Sequence, residues 1–267
     1  MKGRVDMLSQ ERQEVILRHL QTNRSVRIAD LSTILEVTRE TIRKDLYEME
    51  QKGLVRKVHG GAILKKANLE TKYVTRKTVN EQEKKAIAKK AAELVEDGDT
   101  IYIDYGTTTL YFSREISNKK DLTIITNSLP IAQELIDYSD FEVIIIGGNI
   151  RKNENSLFGP IAYRAIEKLF VDKGFFGIGG LDLHAGYTNM HMGESEVSRL
   201  MMQNSQFKVM LADFSKFNSV SMNQVATIDE MDVLITDYTA DEDTIKEIQA
   251  LETEVYTVGV DGRNHDE

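Results

Sequence analysis

The 267-residue sequence contains no cysteine. That excludes a disulfide framework, a thiolate metal site and a cysteine nucleophile, and nothing argues for secretion. Long apolar runs are missing as well. The longest wholly apolar stretches are short, such as Val143 to Ile146, where a bilayer span needs about 20 residues. The start, Met1 to Gln13, is charged and lacks the apolar core of a signal peptide. There is no internal repeat and no low-complexity tract. His184 and His191 lack metal-ligand spacing and have no Glu between them, so neither a metal nor another cofactor is expected. The expectation is a soluble, cytoplasmic protein without membrane association.

Hydrophobic residues make up 41% and charged residues 29%, the mix of a folded globular chain. The net charge of -9 conceals an asymmetry. Met1 to Lys66 holds 14 Lys and Arg against 9 Asp and Glu, and the remainder holds 20 against 34. A basic N-terminal module is carried by an acidic body.

Within that module, Leu8–Thr22 reads as a helix. Val15, Ile16 and Leu20 form one stripe, with Arg12, Gln13 and Arg18 outside it and Ser9 as N-cap. Ile28, Leu31, Ile34 and Leu35 mark a short second helix. Glu36-Val37-Thr38 is a tight connection, and Thr38 caps a third helix whose Ile42, Leu46 and Met49 face inward, with Gly53 as a stop signal. Two short helices joined this way form a helix-turn-helix. At about 100° per residue, Arg39, Glu40, Arg43, Lys44 and Tyr47 point outward, with Thr38 and Thr41 in the first turn. Arginine reads guanine edges, Lys and Thr hold phosphates, and a helix N-terminus favours phosphate oxygens. Leu54–Val58 and Ala62–Leu64 then read as two strands about His59-Gly60-Gly61, a wing bearing Arg56, Lys57 and His59. Asp45 is expected to pair with a basic neighbour rather than touch DNA. The candidate partner is double-stranded operator DNA.

Lys65 to Asn80 is polar and aperiodic and reads as a linker, giving domains at 1–64 and 81–267. Asn80 caps an expected helix Glu81–Glu96, with Ile87, Ala91 and Leu94 inward. From Thr100 the chain alternates β-rich runs with helical patterns. The runs are Thr100–Asp104, Leu122–Thr126, Glu142–Ile146, Lys173–Ile178, Phe207–Ala212, Val233–Thr236 and Glu254–Val258. Helices are expected over Leu129–Asp137, Gly193–Gln203 and Asp241–Leu251. This pattern predicts an α/β body with a doubly wound parallel sheet.

Ligands of such sheets bind outside the carboxyl ends of the strands. After the first run comes Asp104-Tyr105-Gly106-Thr107-Thr108-Thr109, where glycine, successive amides and hydroxyls suit a phosphate. Thr126 and Asn127, Gly147 and Gly148, Asp182, Asp213 and Lys216 stand at or near other strand ends. Lys173 and Lys216 are candidate counter-charges. Asp104, Asp182 and Asp213 are candidate acceptors for sugar hydroxyls. Met190, Met192, Met201 and Met202 are read as packing residues.

The segments Arg12-x3-Ile16-x3-Leu20 and Thr38-x2-Thr41-Ile42-Arg43-Lys44-Asp45-Leu46 resemble the signature of DeoR-family bacterial transcription regulators. Arg56-Lys57-Val58-His59-Gly60-Gly61-Ala62 is similar to that family's wing. The body resembles its sensor domain, similar in fold to ribose-5-phosphate isomerase and CoA-transferase-like proteins. The matching residues are Asp104-x-Gly106-Thr107-Thr108, Thr126-Asn127-Ser128, Gly147-Gly148-x3-Lys152, Phe158-Gly159, Asp172-Lys173-x-Phe175, Gly179-x2-Asp182 and Asp213-x-Ser215-Lys216. Phe214 departs from the small residue common there, which alters the pocket wall. The resemblance covers Leu8 to Val258. It implies a winged helix-turn-helix regulator, a repressor of a carbohydrate operon, responding to a phosphorylated sugar or related metabolite as a homodimer or homotetramer. The rival is a sugar-phosphate isomerase-like enzyme using Asp104, Lys173, Glu194, Glu196 or Lys216 for proton transfer and carbonyl polarisation. The basic outer face of the third helix favours the regulator.

Overall fold

In the computed structural model, which describes residues 8–23, 25–52, 54–64 and 73–259, the spacing of Ile16, Leu17 and Leu20 winds Ser9–Asn23 into helix α1 and buries all three. Strand β1 (Ser25–Arg27) leads directly into α2 (Ile28–Ile34), where Leu31 is buried and Ile34 is exposed. Glu36 adopts a left-handed conformation in the turn, and the Ser32 hydroxyl ties that turn to the Val37 carbonyl at 2.7 Å. Thr38 then caps α3 (Arg39–Gln51) by accepting from the Thr41 amide, and Ile42, Leu46 and Met49 are fully buried. Strands β2 (Val55–Val58) and β3 (Gly61–Leu64) form the wing, and β1 completes a three-stranded antiparallel sheet in the order β1-β3-β2. Gly61 lies opposite Arg27, and a Cβ there would sit 1.9 Å from the Val26 carbonyl oxygen. Only glycine lets β1 approach this closely. Gly53, the expected stop signal, lies outside the described residues.

The chain divides into two compact units, Met1–Thr71 and Lys72–Glu267. The second begins with α4 (Tyr73–Thr78) and α5 (Glu81–Ala92). Strand β4 (Thr100–Ile103), α6 (Thr107–Glu115), β5 (Thr123–Thr126), α7 (Leu129–Tyr138) and β6 (Glu142–Ile145) follow. A hairpin of β7 (Asn149–Arg151) and β8 (Ser156–Phe158) precedes α8 (Pro160–Ile166) and the long strand β9 (Val171–Gly177). Then come β10 (Gly180–Asp182), β11 (Gly186–Asn189), α9 (Met192–Gln203), β12 (Ser205–Leu211) and β13 (Asn223–Ala226). The described chain ends with β14 (Val233–Asp237), α10 (Glu242–Gln249) and β15 (Glu254–Val258).

The seven β-rich runs expected from sequence form one parallel sheet, ordered β15-β14-β12-β9-β4-β5-β6. Alternation along the strands divides the core. Tyr102, Phe176, Met210 and Leu234 join Ile166, Val197, Met201 and Ile248 from α8, α9 and α10 on one face. Ile101, Ile103, Phe175, Val209 and Ile235 join Ile87, Leu110, Phe112 and Ile131 from α5, α6 and α7 on the other. Both faces are therefore covered, as a parallel sheet requires. From β4 the chain steps outward to β5 and β6, then returns to β9 beside β4 and continues the other way. That reversal opens a crevice at the carboxyl ends of β4 and β9.

Several local expectations change. Of the expected linker, 65–72 lies outside the described residues, but Tyr73–Thr78 is helical and Tyr73 is buried. One anchored side chain suffices for so short a helix, so no periodicity announced it. Helix α5 stops at Ala92, because Leu94 and Val95 donate three residues back and tighten the chain out of the α-helix. Two small antiparallel sheets, β7-β8 and β10-β11-β13, were not anticipated. Met201 and Met202 are buried, whereas Met192 is exposed.

Candidate nucleic-acid interface and sensor site

On α3, Arg39, Glu40, Arg43, Lys44 and Tyr47 are exposed, and so are Arg56, Lys57 and His59 on the wing. The helix buries its apolar stripe and leaves these residues in water. Arg43 forms a solvated ion pair with Glu40 at 2.9 Å. Thr38 is engaged as the cap, and its hydroxyl lies 2.9 Å from that of Thr41. The Lys57 ammonium stands 5.3 Å over the Tyr47 ring, and the Lys57 amide donates to Glu50 at 2.8 Å, so wing and helix hold one another.

Beneath this surface, Asp45 is buried and accepts from Arg12 Nε and Ser9 Oγ, each at 2.8 Å. It clamps α1 to α3, as its pairing was expected to do. Two neighbours differ from expectation. Ser9 is the first helical residue, and its hydroxyl goes to Asp45. Gln13 is buried, donating to Glu48 and accepting from Lys52, both at 2.8 Å. The Arg18 side chain lies outside the described ones.

In the second unit, polar groups from several segments stand around the carboxyl ends of β4 and β9. Gly106 has φ of +150°, closed to other residues, and places α6 with its first amides at the crevice. Thr107 and Thr108 are buried, and their side chains make no hydrogen bond within the described chain. Thr109 Oγ1 is buried without a partner. Asn127 accepts the Tyr105 amide at 3.0 Å, and Thr126 donates to Ile103 O at 2.7 Å. These bonds lock the loop after β4 to the loop after β5.

Asp213 follows β12. One carboxylate oxygen accepts from Asn80 at 2.9 Å, and the other is buried without a hydrogen bond. Burial opposes its ionisation, but the Lys216 and Lys84 ammoniums and the bonds from Ser215 and Asn80 outweigh it and hold its carboxyl below the usual range. Burial pushes Lys84 down to about 8 and lowers Lys216 as well. Lys84 donates to the Arg76 and Val79 carbonyls, both at 2.6 Å, closing the end of α4. Arg76 pairs with buried Glu154, and Arg151 pairs with buried Glu194, which also accepts from Ser156.

Five sequence assignments read differently in the fold. Lys173 lies near the amino end of β9, opposite Ile101, and its ammonium pairs with Asp99 at 2.7 Å, away from the crevice. The strand was correctly placed, but the residue stands at its wrong end. Asp182 accepts the His184 and Ala185 amides at 2.9 Å and shapes the β10–β11 turn. Asp104 is fully buried and accepts from Tyr102 at 2.9 Å and Ser198 at 2.7 Å, while burial raises its pKa to about 7. Both of its oxygens are engaged within the fold. Asn80 caps nothing with its side chain. Gly147 and Gly148 stand at the end of β6, two strands out from the reversal.

Arg76, Lys84 and Glu154 were missed. Arg76 sat in the presumed linker. Lys84 carried a readable signal: it precedes Ile87 and Ala91 at three and seven residues, a lysine on the inward stripe of α5. His191 caps α9 and packs edge-on against Phe158 with ring centroids 4.7 Å apart. Among the described residues no cluster of His, Asp and Glu suits a metal, and no helix is long and apolar enough to cross a membrane.

A basic winged helix-turn-helix followed by a parallel α/β sensor unit defines a DNA-binding transcription regulator rather than an enzyme. Residues 12–68 match the DeoR-like helix-turn-helix domain, and residues 79–238 match the DeoR C terminal sensor domain. The chain belongs to the DeoR family. It is 35% identical over 233 residues to the HTH-type transcriptional repressor GlcR of Bacillus subtilis (strain 168), covering 86% of this chain and 89% of that one. It is 32% identical over 201 residues to the glycerol-3-phosphate regulon repressor of Escherichia coli (strain K12), covering 75% of this chain and 80% of the relative. Among solved structures, ribose 5-phosphate isomerase from Plasmodium falciparum matches at 19% identity over 51% of this chain and 52% of that chain, with a TM-score of 0.37.

Proposed function

We propose that this regulator is a cytoplasmic repressor of a carbohydrate operon and that a phosphorylated sugar, or a related phosphorylated metabolite, controls it. The reading head ends near residue 64 and the sensor begins near residue 73. Thr38, Arg39, Thr41, Arg43, Lys44, Arg56, Lys57 and His59 bind the operator. Arginine supplies base reading, and the wing and threonines supply phosphate contacts. Homodimers or homotetramers present paired heads to repeated half-sites. Two relatives named as repressors, one of a glycerol-3-phosphate regulon, support this reading.

The observation that carries the effector assignment is the state of the loop after β4. Thr107 and Thr108 have hydroxyls without hydrogen bonds, Thr109 Oγ1 is buried and unpartnered, and the Lys216 ammonium is likewise without a bond within the described chain. A phosphate would satisfy these donors together at the start of α6. Gly106, Thr107, Thr108, Thr109, Thr126, Asn127 and Lys216 are its proposed surroundings, with Asp213 turned to a sugar hydroxyl.

A thermal-shift screen over phosphorylated sugars and polyols identifies the effector, since a ligand of the native state raises apparent stability. Thr108→Asp then places a negative charge where phosphate would sit. Operator affinity is expected to be retained and the effector response lost. A Thr108→Asp protein that still binds the effector and responds on DNA as the parent does overturns the assignment.

A further inference from the structure

We infer that Glu50 and Tyr47 are positioning residues for the wing, together aiming Lys57 at the DNA backbone, an inference that rests on the proposed role of the wing in binding DNA. The wing is anchored unevenly. Strand β3 lies in the middle of its sheet, between β1 and β2, and at the tip the Gly60 carbonyl accepts the Ile28 amide of α2 at 2.9 Å. Strand β2 is an edge. Its start is fixed, because Val55 is buried and the Leu54 amide donates to the Met49 carbonyl at 2.9 Å. Past Val55, every residue of β2 is exposed.

At Lys57, α3 takes hold of that exposed half. Lys57 lies opposite Ala62, and its amide donates to the Glu50 carboxylate at 2.8 Å. Its ammonium stands 5.3 Å over the Tyr47 ring. Tyr47 and Glu50 are three residues apart, so one flank of α3 holds both ends of the same lysine. Arg43 lies one turn before Tyr47 on that flank. The lysine is thus set beside the face proposed to read bases. Glu50 carries a cost that this role explains. A carboxylate in the last turn of a helix opposes the helix dipole, and beside a polyanion it repels. Water would satisfy an exposed edge amide, so the bond adds little to folding. What it supplies is direction. Without it the outer half of β2 is free to swing from α3, and Lys57 must be ordered at each encounter with DNA, which costs affinity.

The test uses the full chain and a mixed-sequence DNA duplex, with affinity measured across a series of salt concentrations. Glu50→Gln and Glu50→Ala remove the same charge, and only glutamine keeps an oxygen for the Lys57 amide. Glu50→Gln is expected to bind at least as tightly as the parent, with the same dependence of log affinity on log salt. Glu50→Ala is expected to bind roughly three- to tenfold more weakly than Glu50→Gln, with a slope shallower by about one for each head, the mark of a lost phosphate contact. Tyr47→Phe keeps the ring and should match the parent, and Tyr47→Leu should follow Glu50→Ala. Adding Lys57→Ala to Glu50→Ala should weaken binding little further, because the residues act as a unit. Thermal unfolding is expected to be the same in all variants. Equal binding by Glu50→Gln and Glu50→Ala, or additive losses in the double variant, overturns the positioning role and leaves the wing's DNA contact standing. A Glu50→Ala loss that tracks unfolding of the head overturns it as well, and a Tyr47→Phe loss equal to that of Tyr47→Leu overturns the part given to the ring. Lys57→Ala with the parent's affinity and slope removes the wing contact itself, and this inference with it.

Discussion

The reading head and the sensor handle charge in opposite ways. Arg43 and Glu40 form an ion pair with side chains 54% and 81% exposed, whereas the Glu194 and Glu154 side chains in the sensor are wholly buried against Arg151 and Arg76. An exposed pair contributes little to stability and stays free to exchange its partner for a DNA phosphate or base. A buried pair is fixed by its surroundings, and removing one member strands the other. The difference teaches where each unit spends its polar groups. The head keeps them in water and ready for a large polyanion, and the sensor withholds them from water. Asp45 is the exception that fits the rule. It is a buried charge of the head, it is paired with Arg12, and it fastens helices rather than facing DNA.

The sharpest test of this contrast is to delete a carboxylate from each kind of pair. Glu194→Ala is expected to destabilise the sensor by about 3–5 kcal/mol, because Arg151 loses a buried partner. Glu40→Ala should change the head by less than about 1 kcal/mol. Urea unfolding of the two variants checks both, and similar losses would erase the distinction.

A second test uses pH. Burial raises Asp104 from 3.8 to about 7. Between those values the folded chain keeps a proton that the unfolded chain has released, so stability falls as pH rises through the window. The loss is on the order of 2–4 kcal/mol. Asp237, raised by burial to about 6, acts in the same direction over a narrower window. Asp104→Asn should flatten the dependence and leave the Asp237 part. An unaltered slope in denaturation curves from pH 4 to 7 would show that Asp104 does not hold the proton.

A third test belongs to the exposed face. Arg43→Ala should weaken operator binding by about 1–3 kcal/mol and relax sequence preference. Its folding stability and its response to phosphate should match the parent's. An Arg43→Ala, Lys44→Ala double variant with unchanged affinity and footprint would remove α3 from the interface.

The legibility of the two sites differs for the same physical reason. The α3 face could be read because one helix supplies it: a period of 3.6 fixes which residues share a side, and burial of Ile42, Leu46 and Met49 fixes which side faces out. The seven-strand sheet was legible because strands covered on both faces are apolar and bounded by turns. The glycine-threonine turn was legible as chemistry. Asp213 and Lys216 were legible too, as polar residues after a strand, but Arg76, Lys84 and Glu154 were not, because they come from segments far from that turn in the chain. Lys173 shows the limit within a single strand. Sequence placed it in β9, yet the pairing of Lys173 with Ile101 sets it at the end where Asp99 waits.

Thus local pattern by itself determined the helix-turn-helix, its basic face, the parallel α/β body and the glycine-threonine turn after the body's first strand. Tertiary structure alone decided which charges meet in the crevice, which carboxylates are buried, and that the supposed linker contributes a helix and an arginine. Periodicity is a property of neighbours along the chain. The crevice is made where the strand order reverses, and only the folded sheet brings its separate loops to that edge.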